Sequence, residues 1–228
     1  AKGLWPVEFH IFLRFFIKEG DPMKNPLIIT IGREYGSGGR EIGKALAERL
    51  GISFYDKEII TLAAQKSGLA EEFIAGNEQR VRSGMMHNFS ATATYHSGFF
   101  ANHYLPLSEN IFIAQAQVIR DIAAKESAVI VGRCADYILE GRENTINVFI
   151  HAPMDARVKR IMALHNVDEA AAIKEITRSD KERGNHYFRY TDMKWGKAQN
   201  YHVCINSALM GVEKTVEMLA DLAQIEER

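Results

Sequence analysis

Gly32, Gly36, Ser37, Gly38 and Gly39, followed at once by Arg40 and Glu41, are the residues whose types and spacing most plainly suit a chemical task. The apolar, β-branched run Leu27-Ile28-Ile29-Thr30-Ile31 leads into them, and a helical pattern leaves them. A strand, a glycine loop and a helix in that order hold phosphate. Glycines let backbone N–H groups turn inward without a Cβ clash, and a helix N-terminus adds partial positive charge. Four glycines and a serine within eight positions exceed what a β–α turn needs. The spacing departs from Gly, four residues, Gly, Lys, Ser/Thr. Gly32 to Gly38 is one residue too long, and no lysine follows. Arg40 is the nearest cation, and its planar fork can grip phosphate where lysine uses a point charge. Glu41 stands where a magnesium-binding hydroxyl is expected. Ser37 and Glu41, together with Asp56 further on, are candidate magnesium ligands, directly or through water, although Glu41 could equally serve only the helix dipole and Asp56 could instead orient the acceptor phosphate.

Further polar residues follow apolar runs. Asp56 comes after Ile52-Ser53-Phe54-Tyr55, and Arg133 after Ala128-Val129-Ile130-Val131-Gly132. Arg178 and Arg183 lie in a segment mixed with Glu175, Asp180, Lys181 and Glu182, which also reads as a solvated face of ion pairs. His87, His96 and His103 fall in a polar stretch without a metal-ligand pattern.

The elements that must position these groups alternate. Ile42, Leu46 and Leu50 mark a helix that Gly51 ends. A short strand precedes Asp56, and Ile59, Ile60 and Ala63 mark the next helix. Phe112, Ala116, Ile119 and Ala123 mark another. The continuous apolar runs at 128–131 and 146–150 suit strands buried on both faces. Helices are expected from Ala135 to Leu139, from Ala156 to Leu164 and from about Asp168 to Lys181. A last strand at Val203-Cys204-Ile205 precedes a final helix carrying Val212, Val216, Leu219 and Ala223. This alternation predicts an α/β fold, a doubly wound parallel sheet of about five strands flanked by helices. Ligands gather at the carboxyl ends of such strands, where the glycine loop, Asp56 and Gly132-Arg133 all fall.

Residues 23–228 are expected to form the domain, with an insert at about 70–107 beside the second substrate and a lid at about 174–195. Residues 1–22 read as an N-terminal extension; Trp5 to Ile17 is apolar but interrupted by His10 and Arg14, and short for a membrane span of about 20 residues. A formal net charge of −1 argues against a nucleic-acid surface. Two cysteines support no disulfide framework and fit a cytoplasmic setting. A homo-oligomer is left open.

Four segments, in order, resemble the cytidylate kinase-like family of P-loop nucleotide kinases: ITIGREYGSGGREIGKALAERLG at 29–51, FYDKEI at 54–59, VIVGRCADYIL at 129–139, and VFIHAPMDARVKRI at 148–161 with ITRSDKERGNHYFRYT at 176–191. The resemblance implies ATP-dependent phosphoryl transfer with magnesium to a nucleoside monophosphate, CMP first among them. It places Gly36 to Arg40 around the donor phosphates and Asp56 near the acceptor. It gives Arg133 the acceptor monophosphate, sets Asp180 and Arg183 near the acceptor, and puts Arg178 and Arg183 in an arginine-rich lid. Arg40, Asp56, Arg178 and Arg183 are the expected catalytic residues, since phosphoryl transfer needs alignment and positive charge more than covalent help. Where cytidylate kinase has Gly-Lys-Gly-Thr in its loop, this chain has Gly38-Gly39-Arg40-Glu41; the Asp-Ser-Gly acceptor step of cytidylate kinase becomes Asp56-Lys57-Glu58 here, and His151 stands where its fourth strand has an acid. The rival readings are a non-catalytic nucleotide-binding module and a kinase of another small acceptor.

Overall fold

A computed structural model describes residues 26–67 and 107–226. The expected extension at 1–22 and nearly all of the expected insert at 70–107 lie outside the described residues. Five strands form one parallel sheet: β1 (Ile28–Arg33), β2 (Ser53–Tyr55), β3 (Ala128–Val131), β4 (Thr145–His151) and β5 (Val203–Asn206). Their order across the sheet is β2-β3-β1-β4-β5. Ile28 pairs in register with Ala128 on one side and Thr145 on the other. The central strands are buried on both faces, which is why their sequences read as unbroken apolar runs.

Helices cover both faces. On one, Ile29, Ile31, Val129, Val131, Val148 and Ile150 pack against α1 (Gly39–Leu50) and the last described helix, α7 (Ser207–Glu226), through Ile42, Leu46, Leu219 and Ala223. On the other, Ile28, Ala128 and Ile130 meet α2 (Glu58–Ser67), α3 (Leu107–Lys125) and the single turn α4 (Ala135–Ile138). The alternation of Ile28, Ile29, Thr30 and Ile31 between faces is the two-residue period of a strand. Gly51 closes α1 in the left-handed region at φ 66°, its N–H donating to Ala47 and Glu48.

Two helices follow β4: α5 (Met154–His165) and α6 (Glu169–Thr191). The periodicity suggested that the second would stop near Lys181. Instead α6 continues unbroken for 23 residues, because Tyr187 and Tyr190 give its second half a buried stripe against α3 and α4. The part of the expected lid up to Thr191 is thus helix, packed on the body at its C-terminal half. Asp168 caps α6 by accepting from the Ala171 amide at 2.7 Å. Cys134 is buried and Cys204 exposed, and neither is in a disulfide among the described residues.

Candidate active site

The glycine loop joins β1 to α1 at the carboxyl edge of the sheet. Gly36 and Gly38 both take φ of 79°, a conformation that side chains resist. Gly38 caps α1, and the first helical bond runs from the Ile42 amide to the Gly38 carbonyl at 2.9 Å. The amides of Gly39, Arg40 and Glu41 precede that bond and have no partner among the described residues. Ser37 is buried; its hydroxyl donates to the Glu34 carbonyl at 2.8 Å, and its own carbonyl accepts from Ser207 Oγ at 2.6 Å. The loop is therefore held in shape from below while its amides stay available to an anion. The residues present fit a polyphosphate.

Arg160 of α5 lies against the loop at Gly38. A Cβ on Gly38 would lie 3.1 to 3.2 Å from the Arg160 guanidinium, which also pairs with the Glu41 carboxylate. Ser37 and Glu41, the expected magnesium ligands, are thus both engaged within the protein. Among the described residues no group of three or more His, Cys, Asp or Glu could hold a metal ion.

Helices α5 and α6 brace the loop from outside. Asp180 accepts from the Tyr35 amide at 2.7 Å and pairs with Arg157 Nη1 at 2.5 Å. Arg157 is buried; it also donates to the Tyr35 carbonyl at 3.3 Å and lies 3.5 Å from Glu34 Oε2. Glu34 Oε2 in turn accepts from the Ala152 amide at 3.1 Å, tying the loop to the end of β4. Tyr35 Oη donates to Glu175 at 2.5 Å, and burial, reinforced by this carboxylate, pushes the phenol up to about 12. Arg183 donates to the Arg33 carbonyl at 2.9 Å and stacks over the Tyr35 ring.

At the neighbouring strand ends, arginines converge on one buried carboxylate. Arg40 Nε lies 2.7 Å from Asp56 Oδ2, and Arg33 Nη2 lies 3.6 Å from Asp56 Oδ1. Arg133 is buried and feels the same carboxylate. Burial pushes its guanidinium down to about 10, while Asp56 opposes that shift. Gly132, Arg133 and Cys134 all adopt positive φ, of 76°, 61° and 55°. Left-handed geometry costs a non-glycine residue about 1–2 kcal/mol, so the fold holds Arg133 in this turn against local preference. Gly132 suits its φ of 76°, and a Cβ there would also displace the tip of the Arg33 side chain. One turn on, the Asp136 carboxyl is enclosed although its residue is partly exposed; burial raises it to about 6, and the Tyr187 hydroxyl at 2.7 Å opposes the rise.

The structure thus brings Gly36, Ser37, Gly38, Gly39, Arg40 and Glu41 together with Asp56 and Arg133 at one edge, with Gly32 beneath them in β1. Asp180 and Arg183 touch the outer side of the loop instead. Arg178 stands apart, two-thirds exposed and 3.9 Å from Glu182, in the solvated pair its spacing allowed. Sequence reasoning missed Arg33, Glu34, Tyr35, Arg157 and Arg160. Arg157 and Arg160 lie one turn apart on the helix after a β4 end, a position that could have drawn attention to them.

The parallel sheet in this order, with a glycine loop opening the helix after β1, defines a P-loop kinase-like fold. The model of the cytidylate kinase-like family matches residues 28–209, and the chain belongs to that family. A solved structure of an uncharacterized protein from Eubacterium ventriosum is 30% identical, with a TM-score of 0.63 over 87% of this chain and 98% of that one. Shikimate kinase from Bacteroides thetaiotaomicron shares the fold at 13% identity and TM-score 0.51, over 87% of this chain and 98% of that one. Among curated proteins, uronate isomerase from Corynebacterium glutamicum is 28% identical over 107 residues, 46% of this chain. The chain spans 21% of that relative's length. Family membership supports phosphoryl transfer as the general chemistry. Among the described residues no helix is long and apolar enough to cross a membrane.

Proposed function

We propose that this protein transfers the terminal phosphoryl group of ATP to a nucleoside monophosphate, with CMP the first acceptor to try. The observation that carries the reading is the pairing of Arg33 and Arg40 with the buried Asp56 carboxylate, directly beside a loop with available amides, at the strand ends where the left-handed turn also holds Arg133. The amides of Gly39, Arg40 and Glu41 would hold the donor phosphates. Arg133, fixed by its left-handed turn, would hold the acceptor phosphate. Arg40 starts in the loop and ends at Asp56, so it spans the two loci and would offset charge that builds between them. Asp56 would orient Arg33 and Arg40 until the acceptor draws them away. Magnesium would supply charge neutralisation on the donor phosphates, with Ser37 and Glu41 the nearest side chains for it. Arg183 and Asp180 would act on the loop's shape, and Arg178 would reach the substrates only by leaving Glu182.

Coupled ADP release across a panel of nucleoside monophosphates, with magnesium and at high protein concentration, tests the reading. Turnover with one acceptor supports it, and none with any acceptor overturns it. A second reading, a nucleotide-binding module without turnover, is favoured by Arg40 and Glu41 standing where the loop consensus has lysine and a hydroxyl. Calorimetry with ATP separates the two, since tight binding without turnover identifies the module. Turnover confined to a non-nucleotide acceptor would identify a kinase of another small molecule.

A further inference from the structure

We propose that Glu41 and Arg160 form a latch over the glycine loop, in which Glu41 occupies the guanidinium that a bound phosphate would otherwise take. The inference rests on the reading of the loop as a phosphate site. Three observations carry it. The ion pair joins residues 119 apart, bridging the first turn of α1 to α5. The guanidinium lies against Gly38, where a Cβ would be only 3.1 Å from its Cζ, and Gly38 immediately precedes the amides of Gly39, Arg40 and Glu41. The backbone beneath Arg160 is anchored three residues earlier by Arg157, buried and bonded to Tyr35 and Asp180, whereas the Arg160 side chain is 32% exposed and that of Glu41 58%. A fixed base with a free arm is the mechanical requirement of a latch.

The chemistry is an exchange of anions. Glu41 suits the positive end of α1 and so stabilises the empty loop, but it competes there with any phosphate. When a polyphosphate enters, Arg160 can turn its fork from a carboxylate to phosphate oxygens without losing an ionic partner. Arg160 thereby supplies, from another helix, a second cation at the loop, where Arg40 is turned toward Asp56. Exposed ion pairs shift equilibria by no more than about fivefold, so the latch opens easily and tunes affinity rather than blocking the site.

The full chain is titrated calorimetrically with inorganic tripolyphosphate and with ATP, as wild type, Glu41→Gln, Arg160→Gln and the double variant. Glu41→Gln is expected to tighten binding about three- to fivefold. Arg160→Gln is expected to weaken it about tenfold or more. In the Arg160→Gln background, the gain from Glu41→Gln should shrink to less than half. An equal gain in both backgrounds would show that Glu41 acts only as a local charge, and unchanged affinity in Arg160→Gln would remove Arg160 from the site; either overturns the latch while the phosphate reading stands. Absence of polyphosphate binding in all four proteins overturns both. Thermal unfolding checks that each variant is folded, as expected for two partly exposed side chains.

Discussion

Asp180 separates a brace from a substrate ligand, and its removal has a calculable cost. Its two oxygens take the Tyr35 amide at 2.7 Å and Arg157 Nη1 at 2.5 Å, with side-chain exposures of 19% for Asp180 and 8% for Arg157. Asp180→Ala leaves a buried guanidinium with only the Tyr35 carbonyl at 3.3 Å and Glu34 at 3.5 Å. Breaking a buried pair from one side costs about 3–5 kcal/mol. The remaining Glu34 and the partial exposure of Asp180 place this case near the lower end, at about 3 kcal/mol. For a domain of this size that lowers Tm by about 6–12 °C. Asp180→Asn keeps an acceptor for the Tyr35 amide and should lose about half as much. Urea unfolding measures the change as a shifted midpoint at constant slope, and tripolyphosphate titration reports the loop. A wild-type midpoint in Asp180→Ala together with lost binding of the acceptor would refute the brace and make Asp180 a substrate ligand.

Arg133→Ala should weaken acceptor binding about tenfold or more, as expected for a charged hydrogen bond, while ATP affinity stays nearly intact; equal loss of both in calorimetry would contradict its assignment. Asp136 binds its proton more tightly in the folded chain, at about 6 against 3.8, so the stability it contributes is whole below pH 4, declines as pH rises to about 6 and stays lost above. Asp136→Asn, which can still accept from Tyr187, should therefore raise Tm more at pH 7.5 than at pH 4.5, and an equal change at both would refute the burial argument. Arg178→Ala should alter stability by less than about 0.5 kcal/mol and turnover far less than Arg40→Ala does; the reverse order of turnover loss would restore Arg178 to the reacting groups.

The elements legible in the sequence were those whose cause is local. Ala128-Val129-Ile130-Val131 reads as a strand enclosed on both faces because burial on both sides leaves no polar position, and Gly51 reads as a helix end because only a left-handed residue closes that turn. The second half of α6 was not legible. Gly184-Asn185-His186 weakens the helical pattern, and Tyr187 and Tyr190 become a stripe only when α3 and α4 offer a surface to cover.

The candidate site divides along the same line. Gly36 to Gly39 could be read directly, since a chain that must expose consecutive amides has few residue types to choose from. Arg40 and Asp56 could be named separately, but their 2.7 Å pairing depends on β2 lying two strands from β1 with β3 between them, an order no periodicity encodes. Arg157, Arg160 and Asp180 acquire their roles only against Tyr35, Glu41 and Gly38, more than a hundred residues away along the chain. Composition and spacing determined that a glycine loop opens the first helix, α1. Which side chains brace it, lie against it and share its neighbouring carboxylate was decided by tertiary packing, because ion pairs form between residues that are near in space, whatever their distance in sequence.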